Sequence, residues 1–203
     1  LQHSTLEAFR SSLLTGMPEA PDHFSRCSEI NRQGPAKLAN LPVPKPLSAQ
    51  EVDAQVKKGA VILDARNFLA FGGGHIPGAW NIDIAGNFQT FAGWVIPPNR
   101  PIILVVEPEA RIPDALAMLR RVGLDDVVGW LDGGMHAWNV AGLPMEQTPQ
   151  ISAPQLAEIL RGDPKAMVLD VRGKLEFDTL HLNGALHIAA PDTRKRFAEI
   201  PQD

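Results

Sequence analysis

A chain of 203 residues, 44% hydrophobic and 21% charged, is long enough to bury one sizeable core and short for two. Its formal charge of -4 excludes the basic face that nucleic acid or an anionic membrane requires, and Arg194-Lys195-Arg196, the densest basic run, reads as a solvated helix face. No apolar run approaches the roughly 20 residues that span a bilayer and no basic-then-apolar leader opens the chain, so the expected location is the cytoplasm.

Residues 1–40 read as a helical segment without a core of its own. Ser4 with Glu7 has the form of a capping box, Leu6, Phe9 and Leu13 make a helical stripe, and Gly16 ends it. Pro18-Glu19-Ala20-Pro21 is a turn, and a second short helical stretch is expected around Phe24–Asn31. That stretch holds Cys27, the one cysteine, which excludes an intrachain disulfide and, with histidines scattered singly, a zinc cluster of cysteine spacing. Residues 41–46, with three prolines in Leu-Pro-Val-Pro-Lys-Pro, read as an extended linker.

From Leu47 strands and helices alternate. Ser48 and Glu51 cap a helix carrying Val52 and Val56 and closed by Gly59. Val61–Leu63, Ile102–Val106 and Val127–Trp130 are apolar strands, the second buried on both faces. Pro113 opens a helix through Leu116, Leu119 and Val122 to Gly123, and a last helix lies around His136–Val140. This order predicts an α/β fold, a parallel sheet with helices on both faces, over residues 47–146.

The strongest signal is an internal repeat. Val61-Ile62-Leu63-Asp64-Ala65-Arg66 recurs as Met167-Val168-Leu169-Asp170-Val171-Arg172. The same spacing pairs Phe71 with Phe177, His75 with His181, Gly78 with Gly184 and Ile82 with Ile188, and each copy follows a capped helix, from Ser48 or from Ser152. The period is domain-sized, so residues 151–203 are expected to be the first half of a second copy. Lacking the later elements, that half should be the least stable part, with Leu169, Val171, Leu182 and Ile188 more exposed, or borrowed by a neighbouring surface, than Leu63, Ala65, Ile76 and Ile82.

Leu63-Asp64-Ala65-Arg66, Gly74-His75-Ile76-Pro77-Gly78-Ala79 and Leu131-Asp132-Gly133-Gly134 with Trp138 together resemble the landmarks of the rhodanese superfamily. The resemblance covers Leu47 to about Pro144 in full and Ile151 to Asp203 for half a domain. It implies a rhodanese-like sheet preceded by a helical tail and followed by the partial copy. Asp64 and Arg66 then stand at a strand end, where they pair with each other or cap nearby backbone, and His75 is a turn residue; all three are candidates for lining a pocket. Gly72-Gly73-Gly74 lacks the context of a phosphate loop, and Trp138 reads as core.

In this family the chemistry sits in the loop after the central strand, where backbone N–H groups stabilise a cysteine thiolate or persulfide. The corresponding loop is Val106-Glu107-Pro108-Glu109-Ala110-Arg111. Arg111 falls at the family's loop arginine and Val106, or with a slip of one residue Glu107, at the cysteine. Neither can carry sulfur, Pro108 removes an N–H, and Glu107 and Glu109 add negative charge where an anion would bind. The resemblance thus implies a pseudo-rhodanese with no catalytic residue in this chain; Cys27 lies far in sequence from the loop.

Pro18-Glu19-Ala20-Pro21-Asp22-His23-Phe24 and Glu29-Ile30-Asn31-Arg32-Gln33-Gly34-Pro35 resemble the C-terminal tail of metallo-β-lactamase-fold persulfide dioxygenases (sulfur dioxygenases), in which a metal domain precedes rhodanese domains. This implies a metallo-β-lactamase-fold domain of the same polypeptide as partner, with a mononuclear iron (or zinc) there. No cofactor or metal is expected in this chain, and His3 and His23 are not ligands. A homo-oligomer is left open. The expected function is a structural or docking role in a multidomain sulfur-metabolising protein that oxidises persulfide or transfers sulfane sulfur. The alternative is a regulatory binding module using the vestigial anion pocket. A water-filled cavity ringed by Arg111 and His75 would favour the alternative, and a filled one scaffolding.

Overall fold

The computed structural model describes residues 5–15 and 22–201. Helix α1 (Leu6–Leu14) begins at Thr5, whose hydroxyl accepts from the Ala8 N–H at 3.1 Å. The cap therefore falls one residue later than the Ser4–Glu7 box expected; Ser4, like His3, Gly16 and the Pro18–Pro21 turn, lies outside the described residues. The stripe of Leu6, Phe9 and Leu13 is exposed, so α1 covers no core. Helix α2 (Asp22–Gln33) is longer than Phe24–Asn31 and packs against the domain that follows.

The residues read as a linker end in a strand. β1 (Lys45–Leu47) pairs in parallel with β5 (below), Pro46 opposite Trp130. Pro46 is tolerated because β1 is an edge strand, with one side free of ladder bonds. Gly129 opposite Lys45 is required by close approach, since a Cβ there would lie 2.4 Å from the Lys45 carbonyl oxygen.

The order then runs α3 (Ala49–Lys57), β2 (Val61–Asp64), α4 (Phe68–Gly73), β3 (Trp80–Asn81), α5 (Phe88–Val95), β4 (Ile102–Val105), α6 (Ile112–Arg120), β5 (Val127–Leu131) and α7 (Gly134–Val140). The Ser48–Glu51 capping box of α3 is present. The five strands form one parallel sheet in the order β1-β5-β4-β2-β3. Fully buried β4 is its centre, and alternate side chains feed opposite cores. Ile102 and Leu104 join Leu63, Phe88 and Leu119 beneath α5 and α6, whereas Ile103 and Val105 join Ile62, Val52 and Trp138 beneath α3 and α7. This is the α/β architecture expected.

The C-terminal segment comprises α8 (Ala153–Gly162), β6 (Leu169–Asp170), α9 (Lys174–Thr179), β7 (Leu186–His187) and α10 (Thr193–Arg196). β6 and β7 form a parallel two-stranded sheet of their own, and the strand expected over Met167–Val171 contracts to two residues. Val171 and Leu182 are about half exposed, against complete burial of Leu63 and Ala65. Ile188 is fully buried, the second of the two outcomes expected for these residues. The turn at Ala190–Asp192 that follows it leans on α5, so this end of the segment rests on the first domain. No helix among the described residues is long and apolar enough to cross a membrane.

Candidate functional site

The loop expected to carry the chemistry leaves the sheet at the carboxyl end of β4. Val106 still belongs to the core, with Leu104 and Ile112. Glu107 is the first residue whose side chain leaves it, the Glu107–Pro108 peptide is cis, and a single 3-10 turn, Glu109–Arg111, leads into α6. Both acidic side chains are committed. Glu107 Oε1 accepts the N–H of Met135 at 3.1 Å, and Glu109 Oε1 accepts that of Gly133 at 2.9 Å. Gly133 and Gly134 adopt left-handed backbone, φ 69° and 58°, and a Cβ on Gly134 would lie 2.6 Å from Glu107 Oε1. A glycine at 134 is thus required both by its conformation and by the approach of the carboxylate.

The loop therefore turns its own anions onto backbone donors of the next strand-to-helix turn. Its remaining members add no nucleophile. The Pro108 carbonyl accepts from the Arg111 N–H at 3.0 Å, Ala110 is exposed, and the Arg111 guanidinium lies 3.9 Å from Asp114.

Asp64, Arg66 and His75 form a second, separate group, locked internally. The Arg66 guanidinium binds Asp64 through both carboxylate oxygens, Nε to Oδ1 at 3.0 Å and Nη2 to Oδ2 at 2.6 Å, and Nη2 also donates to the Gly74 carbonyl at 2.9 Å. Both side chains are buried. His75 is also buried; its Nδ1 lies 2.9 Å from the Phe71 carbonyl, its ring stacks on Phe71 at 3.7 Å, and Nε2 is 3.9 Å from Glu146. These are bonds of a filled turn. A cavity of about 450 Å³ lies between Trp80, Phe91 and Val95 and the residues Val171, Ala190 and Thr193, and another of about 240 Å³ lies beside Cys27; neither is lined by His75, Arg66 or Arg111.

The same bonds recur at the offset of the sequence repeat. Arg172 grips Asp170 at 3.0 and 2.6 Å and donates to the Leu180 carbonyl at 2.8 Å, while His181 stacks on Phe177 at 3.9 Å. The Arg172 guanidinium holds the Asp170 carboxyl down to about 2, well below its ordinary range. One substitution marks the difference: where Asn81 Nδ2 donates to the Arg66 carbonyl, His187 Nε2 meets that of Arg172 at 2.9 Å.

The rhodanese-like domain model matches residues 48–141. Over 92 residues the chain is 35% identical to the thiosulfate sulfurtransferase GlpE of Shewanella oneidensis, a span that covers 45% of this chain and 88% of that one. The chain belongs to the rhodanese-like family. Among solved structures, a metallo-β-lactamase from Staphylococcus aureus is 26% identical with a TM-score of 0.51, matching 63% of this chain and 34% of that protein. The rhodanese-like domain of the Alr3790 protein from Anabaena is 27% identical with a TM-score of 0.42 and is covered over 99% of its length by 47% of this chain. Residues 48–141 are thus a domain of the sulfurtransferase family in which the loop between β4 and α6 holds two tethered carboxylates and no cysteine.

Sequence reasoning missed the tethers. The paired glycines after β5 were a signal for an unusual turn, but nothing local to residues 106–111 names that turn as the partner of Glu107 and Glu109.

Proposed function

We propose that this chain is a catalytically inactive rhodanese-like domain with a structural or docking role in a multidomain sulfur-metabolising protein. The observation that carries the reading is the loop itself: Glu107 and Glu109 sit there, bonded to Met135 and Gly133, and the chain's one cysteine is in α2. Sulfur transfer through a covalent persulfide needs a thiolate in the anion-stabilising loop. A persulfide about 4 Å from either carboxylate would be opposed by roughly 4 kcal/mol at an effective dielectric of 20. The competing role, a regulatory module using the vestigial pocket, is disfavoured because Arg66 and His75 spend their polar atoms on internal partners.

The parent we infer is a metallo-β-lactamase-fold persulfide dioxygenase with rhodanese domains. Its support is the likeness to the staphylococcal metallo-β-lactamase, whose match extends over more of this chain than the rhodanese-like model does. Residues 151–203 are on this reading the first half of a second rhodanese-like domain, supported by the recurrence of the Asp170–Arg172 and Phe177–His181 contacts. A mononuclear iron or zinc would belong to the metallo-β-lactamase-fold domain. Among the described residues no three His, Cys, Asp or Glu side chains converge on a metal position, so the residues present do not fit the ion and no step through it is assigned to them.

The test is sulfur transfer from thiosulfate to cyanide by the purified chain. Thiocyanate should stay at the level of a protein-free blank; formation above it, abolished by Cys27→Ala, would overturn the inactive reading.

A further inference from the structure

Helix α2 is seated on the domain through three side chains of one face, His23, Arg26 and Ile30. Each meets a feature shaped to receive it. The buried His23 ring lies against Gly93 in the middle of α5, so closely that a Cβ there would stand 2.7 Å from Nδ1 and 2.8 Å from Cγ. Ile30 Cδ1 would stand 2.7 Å from a Cβ on Gly123, the left-handed residue (φ 69°) just past α6. Between them Arg26 donates to the Val122 carbonyl, from Nη2 at 2.8 Å and from Nε at 3.3 Å. A guanidinium is favoured at this carbonyl-rich helix end.

Gly93 is the informative position. It sits inside a helix, where alanine is the better helix former, and the three nearest atoms to an added methyl all belong to His23. The glycine serves the incoming side chain and not α5 itself.

We propose that the face made by α5 and the end of α6 is a receptor for the tail helix. The domain holds residues 22–33 as a rigid strut and thereby fixes its own orientation to whatever precedes them. This names the surface through which the docking role acts, and rests on that reading.

Cys27 makes the proposal measurable, because it is the chain's one thiol, lies half-buried in the strut and has its Sγ 4.0 Å from the Arg121 carbonyl oxygen. In the full-length chain, Gly93→Ala should raise the rate at which Cys27 reacts with an aromatic disulfide reagent by about tenfold or more, as the seated helix opens locally. Adding His23→Ala, which vacates the notch, should slow the reaction again. Arg26→Ala, whose side chain is no part of the core of the sheet, should also accelerate it, and decides the matter alone if Gly93→Ala does not fold. A Cys27 rate unchanged by either single substitution, or a double variant no slower than Gly93→Ala, would overturn the proposal. Thiocyanate formation is read separately, so an active sulfurtransferase would refute the inactive reading and leave these rates as they are.

Discussion

The ion pair that ends β2 occurs twice in this molecule with one geometry and two degrees of burial. Arg66 Nη2 and Asp64 Oδ2 are 2.6 Å apart with side chains 6% and 1% exposed; Arg172 and Asp170 are also 2.6 Å apart, with 45% and 10%. Arg66→Ala would leave the Asp64 carboxylate buried without its counter-charge and remove a donor from the Gly74 carbonyl. Breaking a buried pair on one side costs about 3–5 kcal/mol, a large share of the roughly 5–15 kcal/mol that holds a domain together. All four tryptophans, Trp80, Trp94, Trp130 and Trp138, lie in the first domain, so fluorescence-monitored urea unfolding reads chiefly that domain. The Arg66→Ala midpoint should fall by roughly 2 M urea for a typical denaturant slope. Arg172→Ala, in the segment that carries no tryptophan, should leave the same curve essentially unchanged. A loss for Arg66→Ala below about 1 kcal/mol would refute the reasoning that burial, and not bond geometry, sets the worth of this pair.

Glu107→Ala combined with Glu109→Ala should accelerate amide exchange at Gly133 and Met135 by about tenfold while costing the core little, since both carboxylates sit at the surface; unchanged exchange would mean the tethers hold nothing. The Asp170 carboxyl should titrate near 2, lowered by the Arg172 guanidinium, and return toward the ordinary aspartate range near 4 in Arg172→Ala. Because its folded value is depressed, the stabilisation it lends the C-terminal segment is complete above about pH 4 and is lost as pH falls toward 2; a native carboxyl titrating near 4 by NMR would contradict this. Amides of Leu169 and Asp170 should exchange much faster than those of Ile102–Val105, and equal protection would show that the short sheet β6–β7 is as firmly held as the five-stranded one.

What was legible in the sequence was what is encoded locally. Continuous apolar runs named β2, β4 and β5, the boxes at Ser48 and Ser152 formed as written, and Asp64 with Arg66 bonded each other as residues two apart at a strand end can. The misses are non-local. Lys45-Pro46 carries no strand pattern and becomes a strand because the edge of β5 is there to pair with. For Ile188 the sequence left exposure and cover by a neighbouring surface both open, and it is buried where the turn after it rests on α5, far back along the chain. The carboxylates of Glu107 and Glu109 could be read as charge opposing an anion, but their bonds to Met135 and Gly133 depend on how a glycine pair folds after β5. Helix α2 hid its docking face because the residues that bind, His23 and Arg26, are polar.

The proposed inactivity means that the chain passes no sulfur through the family's reaction, and a covalent sulfur adduct is its most direct measure. The full chain, incubated with excess thiosulfate and freed of it, should keep its intact mass, because Val106–Arg111 offers no thiolate to the donor. A stoichiometric gain of the mass of one sulfur atom, lost on adding cyanide, would contradict the account.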